Sequence, residues 1–343
     1  MYAGGDQSDP MTRLIQIKKG ALCRVALVAE PKVRLLDNCP SIYDLANIAV
    51  AAQMKLSEVA QQRARNGTLD NDPIYAGQSE WRLLPAIDHP DEPSRCLISG
   101  TGLTHLGSAR GRQSMHATVA EDLTDSMKMF RWGVEGGRPT EGDIGIPPEW
   151  FHKGTGCALR AHGEPLEIPI YAEDGGEEAE VAGVYLVAPD GRPYRIGFSV
   201  GNEFSDHQFE KKNYLNLAGS KLRTCSLGPE LVVDAKFESV PVAATIERNG
   251  SVLWTKTYRT GESEMCHSLQ NIEHHHFKFD AHRRPGDVHV HFFGTDCLSF
   301  SDHIRLQDGD VMQVAVKGYG RALRNPVRVH TSKHSLVKAI PLG

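Results

Sequence analysis

The spacing of apolar and polar residues changes character along the chain. Over 14–36, short β-rich runs in LIQIKKGALCRVALVAEPKVRLL are broken by polar turns. The next segment, SIYDLANIAVAAQMKLSEVAQQRARNG, carries apolar residues at helical spacing, with Ser41 as N-cap and Asn66-Gly67 as stop. The proline-rich LLPAIDHPDEPSR then marks a boundary near residue 90. Beyond it strand patterns dominate: RCLISGTG, GEPLEIPIYA, AEVAGVYLVA, YRIGFSVGN, PVAATIERNG, SVLWTKTYRTG, DVHVHFFGT and DVMQVAVKGYG. Turn residues separate many of them, at Asp190-Gly191, Asn249-Gly250, Pro285-Gly286-Asp287 and Asp308-Gly309-Asp310. MHATVAEDLTDSMKMFRWG reads as a helix. The pattern predicts an α+β fold, mainly β. A smaller N-terminal α/β domain occupies 11–90 and a larger β-rich domain 91–343, with residues 1–10 as a tail and Met11 a candidate natural start.

Composition narrows the function classes. The 343 residues are 40% hydrophobic and 24% charged, enough for a substantial core. A net charge of −5 argues against a broad phosphate-binding surface, so no nucleic-acid partner is expected. No apolar run approaches the ~20 residues of a membrane-spanning helix, and MYAGGDQSDP lacks the pattern of a signal peptide. Seven cysteines without a C-x-x-C suit free thiols in a reducing compartment, so a cytoplasmic protein is expected. GTGLTHLGSARG is glycine-rich but matches neither a Walker loop nor G-x-G-x-x-G.

One stretch conflicts with its own pattern. EEAEVAGVYLV, 177–187, ends as a buried strand yet begins with three glutamates. Buried carboxylates are costly unless paired or metal-bound. Strand alternation puts Glu178 and Glu180 on one face and turns Glu177 away. If Asp190-Gly191 forms the hairpin turn, Glu178 lies opposite Glu203, on the same face. Three converging oxygen donors suit Mg²⁺, Mn²⁺ or Ca²⁺; otherwise they line a solvated strand face. His274 and His276, and His289 and His291, also alternate as strand residues would, and a histidine-only zinc site is a weaker competitor.

These residues bring a family into view. AEVAGVY resembles the E-x-E strand of the fumarylacetoacetate hydrolase superfamily, and GFSVGNEFSDHQFE its G-Y-x-x-x-N-D-x-S-A-R-D-x-Q stretch. SKLRTCSLGPELVV, PGDVHVHFFGTD and LQDGDVMQVAVKGYGRALRNPV resemble its remaining segments, in order, over about 95–330. The resemblance implies a mixed β-roll or sandwich with a smaller N-terminal domain, assembled as a homodimer or dimer of dimers. It makes Glu178, Glu180 and Glu203 the ligands of a divalent metal, most readily Mg²⁺. The family lysine falls on Lys221 and the Gly-Thr loop on Gly294-Thr295. The departures are Glu203 for the usual aspartate, Ser205-Asp206-His207-Gln208 for Ser-Ala-Arg-Asp, and Ser108 where hydrolase members place a water-activating glutamate three residues after His105.

That missing glutamate favours elimination over hydrolysis. The sugar-acid branch of the superfamily dehydrates 2-keto-3-deoxy pentonates to 2-oxoglutarate semialdehyde, and this chain resembles that branch. The expected partner is thus a small 2-oxo acid. Lys221 would move the carbon-3 proton or steady the enolate, or simply orient a ligand carboxylate. His105 or His207 would protonate the departing hydroxyl. Thr295, with backbone N–H groups around Gly294, would hold the substrate carboxylate, and Ser205 is a further substrate contact. An acylpyruvate hydrolase, a 2-oxo acid decarboxylase and a non-catalytic sugar-acid sensor remain as alternatives.

Overall fold

A computed structural model describes residues 11–116, 124–333 and 335–343. The expected N-terminal tail and part of the helix expected over 115–133 lie outside these residues. What is described of that helix starts at Asp125, where the Thr124 hydroxyl accepts the Met127 N–H as N-cap.

Two sheets organise the described chain. The larger is mixed, and its central strands are Cys225–Val233, Pro193–Asn202, Ala179–Val187, Val288–Phe292 and Cys96–Gly102, with Glu149–Thr155 at one edge. The smaller contains Val240–Arg248, Ser251–Thr260, Val311–Val316, Leu323–Val329 and Leu166–Ile168. The strand patterns after residue 95 are thus found as strands, all-buried where both faces are covered, as in Ala179–Val187.

The N-terminal strands continue the large sheet across the expected boundary near residue 90. Thr12, Arg13 and Leu14 pair with Val233, Val232 and Leu231. One core joins Leu14, Leu36, Ile42 and Leu45 to Ala182, Val184, Leu227 and Phe292. The single helix expected over 41–66 is two, Ile42–Ala52 and Leu56–Arg63. Ser41 caps the first by accepting the Asp44 N–H, and Gln53 ends it in the left-handed conformation (φ 53°). The second stops early because Ala64–Asp70 leaves to pair with Lys32–Leu36.

Alternation sorts the central hairpin's side chains. Ala182, Val184 and Leu186 enter the core with the N-terminal helices, whereas Ala179 and Val181 face the core under the small sheet. Glu178 and Glu180 share parity with the first set, at the end of the strand away from the turn.

Candidate active site

The hairpin delivers the carboxylates. Ala179 pairs with Asn202 and Glu180 with Gly201, and the Glu203 N–H donates to the Glu178 carbonyl (3.0 Å). Glu178, Glu180 and Glu203 are all buried, and each offers an oxygen within 4.8 Å of the others. Among the described residues this is the group of three or more His, Cys, Asp or Glu side chains that meets metal-ligand spacing. Three buried carboxylate oxygens gathered in this way are the donor type that a hard divalent cation takes. Glu177 points away as expected and accepts the Ser299 backbone N–H (2.6 Å).

Each ligand carboxylate is held from behind. The Gly294 N–H donates to Glu180 Oε2 (2.7 Å), in a loop where a Cβ on Gly294 (φ +90°) would lie 2.2 Å from Thr104 Oγ1. Ser205 Oγ donates to Glu203 Oε2 (2.8 Å), and Lys153 Nζ lies 2.9 Å from Glu203 Oε1. His207 Nε2 meets Glu178 Oε1 at 3.2 Å. Lys221, the last residue of the short helix Leu217–Lys221, reaches Glu178 Oε1 (2.6 Å), Glu203 Oε2 (2.5 Å) and Ser205 Oγ (2.8 Å), over the Phe151 ring.

The electrostatics follow from this crowding. Burial, with Glu178 and Glu203 alongside, pushes the Glu180 carboxyl well above its usual range. Burial also acts to raise Glu178, but Lys221 and His207 outweigh it and hold Glu178 well below that range. Burial alone would depress Lys221; Glu178, Glu203 and Glu210 instead hold it above its ordinary value. Without a bound cation these carboxylates favour the ammonium form of Lys221; the expected lowering beside a cation concerns the metal-loaded site.

Other anticipated residues take supporting places. His105 is buried between Thr104 Oγ1 (2.8 Å) and Thr260 Oγ1 (3.1 Å), does not line the pocket, and is depressed to about 4 by burial. It is not placed to protonate a leaving hydroxyl. His207 backs Glu178, and Ser205 and the Gly294 N–H serve ligand carboxylates rather than a substrate. Thr295 does line the pocket, with its Oγ1 within 3.1 Å of the Cys297 carbonyl.

The histidine-rich segments do converge, but on the sheet's opposite face and not as a zinc site. His276 sits on the helix Leu269–Phe277, not on a strand. Its Nδ1 accepts the Trp150 indole N–H (3.2 Å), leaving Nε2 to meet His289 Nδ1 (2.9 Å). His291 lies between Ser99 (2.9 Å) and Thr101 (2.7 Å).

Sequence reasoning missed Glu149, as it missed Lys153. Glu149, on an edge strand opposite Gly102, is 6% exposed and lines the pocket with Glu178, Lys221, Gly294 and Thr295. The Tyr214 hydroxyl donates to its Oε2 (2.5 Å), while its buried Oε1 has no hydrogen-bond partner among the described residues. The pocket is about 20 Å³, space for one water. Ser108 and Leu298 separate it from an outer cleft of about 300 Å³. A cavity of about 910 Å³ lies at the turn end of the hairpin, far along the strand from the carboxylates.

Comparison with known proteins fits this geometry. Solved structures align over nearly the whole chain. One is 2-keto-3-deoxy-D-arabinonate dehydratase complexed with magnesium and 2,5-dioxopentanoate: TM-score 0.69, 17% identity, 93% of this chain and 100% of that one. Another is 5-carboxymethyl-2-hydroxymuconate delta-isomerase from Mycobacterium smegmatis: TM-score 0.56, 18% identity, 93% and 100% covered. The fold is that of the fumarylacetoacetate hydrolase superfamily. No family model matches the sequence. A curated relative, a probable 2-keto-3-deoxyxylonate dehydratase of Haloferax volcanii, is 29% identical over 178 residues. That match spans 50% of this chain and 58% of the relative's length.

Proposed function

We propose that the protein is a metal-dependent hydro-lyase that converts a 2-keto-3-deoxy pentonate to 2,5-dioxopentanoate (2-oxoglutarate semialdehyde) and water. The observation that carries this reading is a pocket lined by Lys221, by Glu178 of the three-glutamate set and by Glu149, whose Oε1 has no hydrogen-bond partner among the described residues. The dehydratase relatives support it at the level of reaction type.

Glu178, Glu180 and Glu203 would hold the divalent ion, with Mg²⁺ the first choice. Bound there, the ion supplies Lewis-acid polarisation of a 2-oxo acid, which acidifies the hydrogens at carbon 3. The protein's own groups divide the remaining work. Glu149 Oε1, with Oε2 tied to Tyr214, takes a carbon-3 proton and returns one to the departing carbon-4 hydroxyl. Lys221, kept cationic, faces the negative charge that grows on the substrate as the proton leaves. Thr295 contacts the acid end. Loss of water leaves an enone; transfer of a carbon-5 proton to carbon 3 gives the carbon-4–carbon-5 enol, and movement of its hydroxyl proton to carbon 4 gives the aldehyde. Ser108, where hydrolase members place the water-activating glutamate, donates its hydroxyl to the His105 carbonyl (2.9 Å) and offers no carboxylate to a water.

The test is turnover. With Mg²⁺ and a 2-keto-3-deoxy pentonate, 2,5-dioxopentanoate should form, and Glu178→Gln should abolish it while weakening Mn²⁺ binding at least tenfold. Turnover of an acylpyruvate but not of the sugar acid would make the protein a hydrolase. Loss of CO₂ from a 2-oxo diacid would make it a decarboxylase, and binding without turnover a sensor.

A further inference from the structure

Arg112 has no part in the chemistry just described, yet it faces the same pocket. It lies on the helix Leu106–His116 and is 8% exposed. Its Nη2 is 2.8 Å from Glu210 Oε2, so its charge is already matched. Its Nη1 is buried and has no hydrogen-bond partner among the described residues. A buried donor left unmade is expensive, and such groups point to an acceptor supplied from outside. The wall that carries Arg112 also carries Ser108. Ser108 gives its hydroxyl proton to the His105 carbonyl, so toward the pocket its oxygen can only accept.

We propose that Arg112 is a specificity residue: Nη1 donates to the terminal hydroxyl of a 2-oxo sugar acid, and that hydroxyl donates to Ser108. This rests on the dehydratase reading for the class of ligand, but it concerns recognition rather than chemistry. A hydroxyl is the group that accepts one hydrogen bond and donates another. A second carboxylate cannot donate the hydrogen bond that Ser108 is left to accept. Glu149 and Glu178 on the same pocket would also repel it. The site therefore selects hydroxylated monoacids over analogues lacking the hydroxyl and over diacids of equal length.

The experiment measures binding by calorimetry with Mg²⁺ in a Glu149→Gln background, where turnover is blocked. The probes are a 2-keto-3-deoxy pentonate, its 5-deoxy analogue and 2-oxoglutarate. The background protein should bind the hydroxylated acid at least about tenfold tighter than either comparator. Arg112→Lys keeps a cation beside Glu210 and should erase that gap, leaving the 5-deoxy affinity and the melting temperature nearly unchanged. Absence of a gap in the background protein, or its persistence in Arg112→Lys, overturns the proposal. An equal loss for all three ligands with a lowered melting temperature also overturns it, because it marks a purely structural residue. A gap that Arg112→Lys erases, in a protein whose wild type turns over none of these acids, supports Arg112's role and refutes the dehydratase reading alone. Failure to bind any of the three refutes both.

Discussion

At the scale of single residues, the site divides acids from bases by their surroundings. Lys221 touches Glu178 and Glu203, which favour its ammonium form against burial in the metal-free site. Glu149 keeps one oxygen without a hydrogen-bond partner among the described residues. Glu149→Gln preserves shape and the Tyr214 contact but removes the proton carrier. It should lower kcat by at least about 100-fold, with Mn²⁺ affinity within about threefold of wild type. Steady-state kinetics beside metal titration would check this; a variant that keeps full turnover removes Glu149 from the mechanism. The convergence of Glu178, Glu180 and Glu203 was legible in the sequence because carboxylates in an apolar run are conspicuous. Glu149 was not, since EWFHKGT is short and follows two prolines. Only its buried–exposed alternation, with Glu149, Phe151 and Lys153 inward, could have marked it as a strand with an inward acid. Lys221 was anticipated, but its charge state depends on partners brought from 18 and 43 residues away.

At the scale of elements, the hairpin shows how a register can be reached by compensating departures. A turn at Asp190-Gly191 placed Glu178 opposite Glu203, and the pairing at the glutamates obeys that rule. Beside the turn the register is offset by one, with Val187 opposite Pro193, and a bulge between Val184 and Tyr185 restores it. The bulge left no residue signature beforehand. The histidine-rich segment was misjudged for a related reason. HHH has no strong period of its own, and the helix is set by the Ser268 cap, which accepts the Asn271 N–H, and by Leu269 and Ile272 packing under the small sheet. The pairing of Cys96–Gly102 with Glu149–Thr155 carries a prediction of its own. A Cβ on Gly102 would lie 2.0 Å from Glu149 Oε1, the tip of a side chain that can swing aside. Gly102→Ala should therefore leave the melting temperature within a few degrees of wild type while cutting kcat at least about tenfold. A loss of stability with activity per folded molecule unchanged would show that the Gly102–Glu149 contact has no catalytic bearing.

At the scale of the whole molecule, one sheet carries different chemistry on its two faces. The carboxylates lie on the face packed against the N-terminal helices, and a buried histidine cluster lies on the other. Burial depresses His105, His162 and His267 to about 4 and His289 and His291 to about 3. In the unfolded chain each titrates near 6.5. Below that pH the unfolded state takes up protons that the folded state refuses, so stability must fall as pH falls. Raised carboxylates such as Glu177 and Glu273 act in the opposite sense from 4.5 upward, and so does His207, whose burial is outweighed by Glu178. From pH 7.5 to 6 the five depressed histidines act against them. Together those histidines should cost roughly 4 kcal/mol over that range, lowering the melting temperature by about 5 °C. Thermal melts at fixed ionic strength and saturating Mg²⁺ would measure it. A melting temperature that stays flat or rises toward pH 6 would mean that these imidazoles are protonated in the fold, with water or anions reaching sites that the packing encloses.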